Sequence, residues 1–369
     1  MNIDIFQLER VQSVWENQVR FNLTESGIHP YTLQEILSKD EIEDLLVTRL
    51  GYGQTNGSIE LRQRVSELYS DTDVDNILIT NGSAEANFIT VWNLLSPGDE
   101  MILMLPNYMQ MWGIARSLGI DVKPFYLREE SGWDIDLAEI ENLISPKTRM
   151  IAVCNPNNPT GSVLSLQQME GIIHLAERHG IWIYADEIYR GAELNGRETP
   201  SFIGMYPQAI VSGGLSKSYA LPGLRIGWIA GPKDQIEKAW AAHDYTSITT
   251  GILSNRIASC ILEPKKRARI LERSRRMLNE NLQLLQDWIA QNRKFLSFTP
   301  PKAGGMAFIR YDLDINSTQL STQLRENQSV FIIAGDCFGM DHFIRIGIGS
   351  EKEYLQAGLD LIDKEFRSL

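Results

Sequence analysis

The sequence predicts an α/β protein with a mostly parallel β-sheet covered by helices and a smaller α+β domain. Short apolar runs alternate with amphipathic helical patterns from about Asn76 to Trp240, an order typical of parallel sheets that are covered on both faces. Beyond Trp240 a long helical stretch rich in Arg and Leu leads into a shorter region of strands and helices. A chain of 369 residues is also longer than one ordinary core, so we expect two domains and a cleft.

The segments before the sheet are predicted to supply an arm, a loop and helices. Residues up to about Val19 are expected to form an arm or first helix, and the Gly- and Pro-containing stretch 21–31 an extended loop suited to line a cleft. Helical spacing runs over 33–46, and a Gly-rich turn after Leu50 leads into a helix through about Tyr69. This turn is not a dinucleotide-binding fingerprint, because a helix precedes it and its glycine spacing is wrong.

Apolar runs of strand length predict the sheet and the later domain. In the sheet they cover 77–80, 101–105, 121–126, 149–154, 181–185 and 209–212. After a helical stretch from about Ile252 to Asn292, further strands are expected at 306–311, 330–333 and 343–348, with a final helix from about Glu351. We therefore predict an N-terminal arm that is part of the small domain (1–40), a large domain (41–262) and a small C-terminal domain (263–369).

Composition excludes several classes of function. The formal net charge of −12 argues against nucleic acid as the main partner, because phosphate binding normally needs a basic face. The start of the chain has no basic leader before an apolar core, and no apolar run approaches membrane-spanning length, so we expect a cytoplasmic protein with no membrane partner. Three scattered cysteines fit a reducing compartment, and the five histidines suggest no metal site.

One lysine stands out at a predicted strand end. Lys217 lies between two serines just past the run 209–212, and Arg225 follows in a second apolar run. A primary amine held on rigid structure suits imine formation with an aldehyde, and the arginine is a good partner for an anion. Taken alone, Lys217 is more often a surface lysine at a strand end, so the other strand ends must decide.

Residues that follow the other strands form a consistent set, because ligands bind beyond the carboxyl ends of parallel strands. Ser83 and Ala84 open a helix where free backbone N–H groups can hold a phosphate, although Ser83 also fits an ordinary N-cap. Tyr108 can stack on a flat ring or be a core tyrosine, and two Asn-Pro steps make 155–161 a rigid turn. Asp186 follows a buried strand and needs a cation such as a protonated ring nitrogen.

Together these motifs resemble the class I/II aminotransferases of fold type I, which use pyridoxal 5'-phosphate. The similarity spans most of the chain in the same order and rests on Ser83-Ala84, Tyr108, Asn155-Pro-Asn-Asn158-Pro-Thr-Gly161, Asp186-x-x-Tyr189, Ser216-Lys217 with Arg225, and Phe343-Ile-Arg345. It implies a seven-stranded, mostly parallel sheet, an aminotransferase acting on an amino acid and a 2-oxo acid, and a homodimer with shared active sites.

The resemblance also implies roles for single residues. Lys217 forms the internal aldimine and then moves the α-proton, and Asp186 pairs with the pyridinium nitrogen. Asn158 and Tyr189 hydrogen-bond the ring 3-oxygen, and Tyr108 stacks on the ring. The phosphate is held by four residues of this chain and one of the neighbouring subunit, namely Ser83, Ala84, Ser216, Arg225 and Tyr52. The substrate α-carboxylate is held as a bidentate pair by Arg345, with Gly27 and Asn158 nearby.

The sequence departs from the family pattern in places that bear on the cofactor and the substrate. Many relatives have a serine or threonine three residues before the lysine as a phosphate ligand, and here Gly214 stands there. Relatives that act on dicarboxylates use a further arginine from the partner subunit, and none lies between Lys238 and Arg256. Glu25, in the loop 21–31, is a candidate partner for a cationic substrate, although it also fits a solvated loop carboxylate.

Three hypotheses about function remain open. The first is an aminotransferase for a cationic or neutral amino acid. The second is a pyridoxal-phosphate-dependent lyase or cyclase acting on an arginine-type amino acid, because the loop that contains Glu25 also resembles that of the capreomycidine synthase type. The third is a binding protein that keeps the fold without catalysis, which the presence of Lys217, Asp186 and Arg345 disfavours.

Overall fold

The structure of the protein, a computed structural model, describes residues 3–368. The strands are β1 (Phe21–Asn22), β2 (Ile77–Thr80), β3 (Glu100–Leu105), β4 (Asp121–Tyr126), β5 (Thr148–Cys154), β6 (Trp182–Asp186), β7 (Ala209–Gly214), β8 (Gly227–Ala230), β9 (Leu296–Ser297), β10 (Met306–Tyr311), β11 (Val330–Phe331), β12 (Ile333–Ala334) and β13 (Phe343–Gly347). The α-helices are α1 (Gln7–Trp15), α2 (Leu33–Ile36), α3 (Lys39–Leu46), α4 (Ile59–Ser66), α5 (Ser83–Leu94), α6 (Gln110–Ser117), α7 (Leu137–Leu143), α8 (Leu166–His179), α9 (Lys233–His243), α10 (Ile252–Ile261), α11 (Pro264–Gln291), α12 (Ser317–Gln328) and α13 (Lys352–Phe366). None of these helices is both long enough and apolar enough to cross a membrane.

The central sheet has seven strands in the order β2-β8-β7-β6-β5-β3-β4. All neighbouring pairs are parallel except those of β8, which runs antiparallel to both β2 and β7. Side chains that alternate along each strand enter two hydrophobic clusters, so that Ile183 and Ala185 of β6 lie in one and Tyr184 in the other. Helices cover both faces, and the predicted fold class is therefore confirmed.

Two stretches that were predicted as single helices are each divided in the structure. The stretch 33–46 forms α2 and α3, because Ser38 accepts a hydrogen bond from the Glu41 backbone N–H while the Glu41 carboxylate accepts one from Ser38, a capping box that begins a new helix. The stretch 252–292 forms α10 and α11. Pro264 lacks a backbone N–H and fits the first turn of α11, where Glu263 caps the helix.

A second, smaller sheet is formed by the C-terminal part of the chain. It has the order β12-β13-β10-β9, with antiparallel pairing throughout. Next to it β1 pairs in parallel with β11, with Phe21 opposite Val330. Phe21, Leu23 and Ile28 consequently share one hydrophobic cluster with residues of α11, β10, β13 and α13.

The strand register brings the ends of three parallel strands together. Asp186 ends β6 and lies beside Cys154, the last residue of β5, and beside Ser212 of β7. Two residues after β7 ends, the chain reaches Ser216 and Lys217. The carboxyl edge of the sheet therefore brings together the Asp186 carboxylate, the Lys217 amine and the turn that follows Cys154.

Candidate active site

A cavity of about 440 Å³ opens at the carboxyl edge of the central sheet, between that edge, the loop 23–31 and helix α1. Most of the predicted site residues line it: Glu25, Ser83, Ala84, Tyr108, Asn158, Asp186, Tyr189, Ser216, Lys217, Arg225 and Arg345. Gly27 does not line the cavity but lies next to Lys217, because a Cβ on this glycine would be 3.4 Å from Cδ of Lys217. Tyr52 lies elsewhere, with 88% of its surface exposed.

Lys217 is paired with Glu25 inside the cavity. Its Nζ donates a 2.7 Å hydrogen bond to Oε1 of Glu25, and the backbone N–H of Gly27 donates to the same oxygen at 2.7 Å. The Lys217 charge lowers the pKa of Glu25 to about 2. Burial alone would lower the pKa of Lys217, but the Glu25 carboxylate outweighs it and raises that pKa above its usual range. The lysine is thus held at a defined point and kept charged until another group replaces Glu25.

Asp186 is a buried carboxylate at the base of the cavity. The backbone N–H of Ile188 donates to Oδ1 at 3.1 Å and Nδ2 of Asn87 donates to Oδ2 at 3.3 Å. Burial nevertheless raises the pKa of Asp186, and no cationic side chain of residues 3–368 forms an ion pair with it. Asn87 is oriented by Tyr184 and Ser212, whose hydroxyls donate to its Oδ1. Asp186 is therefore fixed in place and suited to a cation that enters the cavity.

Arg345 lies on β13 and reaches the cavity from the small sheet. The side chain is 1% exposed, its Nη1 donates to Oδ1 of Asn158 at 2.9 Å, and its Nη2 donates to the Thr24 carbonyl at 2.6 Å. Its Nε has no hydrogen-bond partner among the described residues. Nearby, the Tyr189 hydroxyl donates to Oγ of Ser26 at 2.8 Å. A buried guanidinium with a free N–H at a cavity wall is suited to bind a carboxylate.

The other end of the cavity is suited to an anion. Ser83 and Ala84 are the first residues of the twelve-residue helix α5, whose free N–H groups favour negative charge. Arg225 adopts a left-handed backbone conformation with φ 53°, and its Nη1 lies 3.4 Å from Oγ of Ser216. A Cβ on Gly82 would be 2.3 Å from Nη2 of Arg225, so the guanidinium packs against the helix start only because this residue is glycine.

Tyr108 also lines the cavity. Its hydroxyl donates to Oε1 of Glu9 at 2.6 Å, and the ring of Phe6 meets its ring edge-on at a centroid distance of 4.9 Å. Both partners belong to the N-terminal segment, which therefore holds the tyrosine ring against the cavity. The sequence prediction included Tyr108 but neither of these partners.

Gly214 has a packing role that the sequence did not reveal. It is the last residue of β7, and a Cβ there would lie 2.9 Å from Cδ1 of Ile188 and 3.0 Å from the Ile226 carbonyl oxygen. Gly214 also does not line the cavity. The neighbours of Gly214 thus pack too closely to leave room for a serine or threonine side chain at this position.

Helix α1 contributes residues that the sequence analysis did not identify. Glu9, Gln12, Ser13 and Glu16 line the cavity from one helix face, at spacings of three, four and seven residues. Gln12 ties the helix to the loop 23–31, because its Nε2 donates to Oγ1 of Thr24 at 3.0 Å. A polar stripe on the first helix was the available signal, but many exposed helices carry such a stripe.

The cavity fits the expected cofactor, pyridoxal phosphate. Asp186 offers a buried carboxylate to a ring nitrogen cation, and Lys217 offers a fixed primary amine to the aldehyde. The helix start at Ser83 with the adjacent Arg225 offers backbone N–H groups and a guanidinium to a phosphate dianion. Charge and donor type therefore match at three separate points.

Comparisons with known proteins agree with this geometry. The family described as aminotransferase class I and II matches residues 22–362 of the chain. A crystal structure of a PLP-dependent aminotransferase from Streptococcus suis is 33% identical and has a TM-score of 0.94, covering 100% of this chain and 99% of that one. Capreomycidine synthase of Streptomyces vinaceus is 26% identical, covering 94% of this chain and 90% of that protein. The arginine–pyruvate transaminase of Pseudomonas aeruginosa is 28% identical, covering 83% and 80% respectively.

The family match covers most of the chain, and the resemblance inferred from the motifs is thereby confirmed. The Streptococcus suis enzyme is similar to this chain in both sequence and fold. The chain belongs to the class I and II aminotransferases, a family of pyridoxal-phosphate-dependent enzymes of fold type I.

Proposed function

We propose that this protein is an aminotransferase that moves the α-amino group of a cationic or neutral amino acid to a 2-oxo acid. The observation that carries the proposal is the convergence of the Lys217 amine, the Asp186 carboxylate and the Arg345 guanidinium on one cavity. These three groups match the amine, the ring-nitrogen partner and the carboxylate clamp that the reaction needs. A binding protein without catalysis would have no need of all three.

We infer the following roles in holding the cofactor. Lys217 would hold the aldehyde carbon through its amine, and Asp186 would pair with the protonated ring nitrogen. Asn158 and Tyr189 would donate hydrogen bonds to the ring oxygen, and Tyr108 would stack on the ring. The phosphate is bound by Ser83, Ala84, Ser216 and Arg225, and by Tyr52 of a second copy of the chain. Bound in this way, pyridoxal phosphate supplies an electron sink for negative charge at the substrate Cα.

The residues of the chain then orient the substrate and move its proton. The Nε and Nη atoms of Arg345 hold the substrate carboxylate, with Asn158 and Gly27 beside it. This contact would hold Cα near Lys217, whose amine would carry the α-proton once the substrate amino group has displaced it from the cofactor. Oε1 of Glu25 accepts a 2.7 Å hydrogen bond from the same amine when the lysine is free.

Two observations favour a cationic or neutral donor over a dicarboxylate. No arginine lies between Lys238 and Arg256, where relatives that bind dicarboxylates supply one from the partner subunit. Glu25 puts a carboxylate into the cavity instead. The similarity to an arginine–pyruvate transaminase supports an arginine-type donor.

A second candidate is elimination or cyclisation of an arginine-type amino acid. It is favoured by the similarity to capreomycidine synthase, which extends over 94% of this chain. The two candidates share Lys217, Asp186 and Arg345, so they differ in the fate of the substrate and not in how it is bound.

We further propose a homodimer with shared active sites. Leu46, Val47, Leu50 and Tyr52 are large side chains that lie mostly exposed in one segment, and Tyr245 is exposed as well. Such concentrations of exposed apolar surface mark interaction sites. A second copy seated on this surface would bring its Tyr52 to the phosphate end of the cavity.

We also infer the division into an N-terminal arm with part of the small domain (1–40), a large domain (41–262) and a small domain (263–369). It is supported by the hydrophobic cluster that joins Phe21 and Leu23 to α11 and α13. A cytoplasmic location is supported by the three cysteines, which are all unpaired.

A panel of amino acids tests the proposed function. Without an acceptor, an aminotransferase releases one 2-oxo acid per active site and stops, whereas repeated release of ammonia or of a cyclic product would identify a lyase or cyclase. Lys217→Ala is expected to abolish the near-visible absorbance of the resting enzyme. A retained absorbance band in that variant would overturn the assignment of Lys217.

A further inference from the structure

Helix α1 places carboxylates against the cavity that the reaction itself does not use. Glu9 and Glu16 lie on the cavity face of the helix, seven residues apart, and Glu25 reaches the cavity from the loop 23–31. Glu9 accepts a hydrogen bond from Tyr108 and Glu25 accepts one from Lys217. All three line one cavity of about 440 Å³.

Glu16 is the carboxylate without a partner. It is half-buried at the end of α1 and forms no ion pair with any described residue. Burial, together with the charges of Glu25 and Glu9, raises its pKa above the usual range. Glu25 is neutralised by Lys217 and Glu9 accepts a hydrogen bond from Tyr108, so Glu16 is the carboxylate on the α1 segment and loop 23–31 that no described residue pairs with.

The Glu25 carboxylate would also lose its Lys217 partner once that amine holds the cofactor. In the free chain the Lys217 ammonium neutralises Glu25 at 2.7 Å. The amine that forms this contact is the same atom that joins the cofactor. Glu25 and Glu16 are then both available to a cation brought by the substrate.

The same cavity also contains a group that is suited to bind an anion. Arg345 is 1% exposed, lines the same cavity, and has an Nε without a partner among the described residues. A ligand that pairs with both Arg345 and Glu16 carries a carboxylate and a cation. An amino acid with a cationic side chain has this arrangement, whereas a neutral one leaves Glu16 unpaired.

We propose that Glu16, with Glu9 and Glu25, forms a subsite for the distal cation of the substrate and selects amino acids whose side chains end in a guanidinium or an ammonium group. This inference rests on the proposed function for the position of the cavity, and it narrows the donor from cationic or neutral to cationic. Glu16 binds the cation directly, and Glu9 and Glu25 contribute charge while they also position Tyr108 and Lys217.

The test uses probes that lack the α-amino group on which the proposed reaction depends. δ-Guanidinovalerate and ε-aminocaproate carry the two charged ends of arginine and lysine without an α-amino group, and δ-ureidovalerate is the neutral counterpart of the first. Calorimetric titration of the holoenzyme is expected to give affinities for the two cationic probes about tenfold higher than for the neutral one, a ratio set by one charge-assisted contact. Comparison of the two cationic probes tells which cation fits.

Variants of Glu16 test whether this carboxylate, and not the overall charge of the protein, sets the preference for cationic probes. Glu16→Gln is expected to reduce the preference for cationic probes about fivefold, and Glu16→Asp, which keeps the charge, to retain most of it. Glu170→Gln on the exposed face of α8 removes one charge away from the cavity and serves as the matched control. Thermal unfolding of each variant checks that it folds, and Glu16→Gln is expected to be no less stable than the wild type.

The outcomes distinguish this inference from the proposed function. Equal affinity for charged and neutral probes, or an unchanged preference in Glu16→Gln, overturns the subsite. If the holoenzyme prefers cationic probes but releases no 2-oxo acid from any amino acid, the subsite stands and the proposed aminotransferase reaction fails. If it transaminates neutral amino acids as efficiently as arginine and lysine, the reaction stands and the subsite fails.

Discussion

Replacing Glu25 with glutamine is expected to make Lys217 react faster with pyridoxal phosphate. Only a neutral amine can attack the aldehyde, and in the free chain Lys217 is held charged by the Glu25 carboxylate at 2.7 Å. Burial would lower the pKa of Lys217 if Glu25 did not oppose it. Glu25→Gln removes the opposing charge and keeps the shape, so the pKa of Lys217 falls and more of the amine is neutral at a given pH.

The size of the effect follows from the ion pair. The pKa of Glu25 falls from an ordinary value of 4.5 to about 2, chiefly because of Lys217, which corresponds to at most about 3 to 4 kcal/mol of interaction. The Glu25 side chain is 50% exposed, so solvent screening reduces this to about 1 kcal/mol. We therefore expect a rate of cofactor incorporation about fivefold higher at neutral pH.

The same pair makes a pH-dependent contribution to folding. Because the folded pKa of Glu25 is depressed, its contribution is complete above 4.5 and is lost as the pH falls toward about 2. Cofactor-free Glu25→Gln is thus expected to be about 1 kcal/mol less stable than the wild type at neutral pH, with the difference disappearing in acid.

The assay is the appearance of near-visible absorbance after cofactor-free protein is mixed with pyridoxal phosphate, followed from neutral to alkaline pH. Glu170→Gln is the control for loss of one negative charge, and Lys217→Ala is the control for the attacking amine. If Glu25→Gln and the wild type have the same rate at every pH, Glu25 does not govern the reactivity of Lys217.

Three further predictions concern packing, burial and assembly. Gly214→Ser is expected to lower stability by about 1 kcal/mol without tightening cofactor binding, because a Cβ there lies 2.9 Å from Cδ1 of Ile188; urea unfolding and cofactor titration measure both effects. Burial raises the pKa of Glu187 to about 7, so wild-type stability is expected to fall by about 3 kcal/mol as the pH rises from about 4.5 to 7, and Glu187→Gln to lack this slope in urea unfolding. Leu50→Glu is expected to yield monomers in size-exclusion chromatography, and Tyr52→Phe to weaken cofactor binding in an intact dimer.

Each of these predictions has an outcome that contradicts it. Tighter cofactor binding by Gly214→Ser would mean that the serine reaches the phosphate. Equal pH slopes for wild type and Glu187→Gln would mean that this carboxyl does not titrate in that range. A dimeric Leu50→Glu, with Leu166→Glu on the exposed face of α8 as the control, would place the interface elsewhere.

The sequence was sufficient to predict the fold class and the residues at the strand ends. Alternating apolar runs and helical patterns lead to a parallel sheet, and a parallel sheet gathers its carboxyl ends at one edge whatever the loops do. For that reason Ser83, Tyr108, Asp186 and Lys217 could be assigned to one site before their distances were known. The cavity brings all four together.

Only the tertiary structure determines which residues the loop 23–31 and helix α1 contact. Glu25 and Lys217 are 192 positions apart in the chain, and Glu9 reaches Tyr108 across 99 positions. The spacing of Glu9 and Glu16 indicates that they share a helix face, but not that this face meets the cavity instead of solvent. Likewise, the sequence shows Gly214 only as a missing hydroxyl, whereas its contacts with Ile188 show a site too crowded for a side chain. Local patterns determine which elements form and which sides of them are polar. Contacts between distant segments depend on how those elements pack, and only the folded chain specifies that.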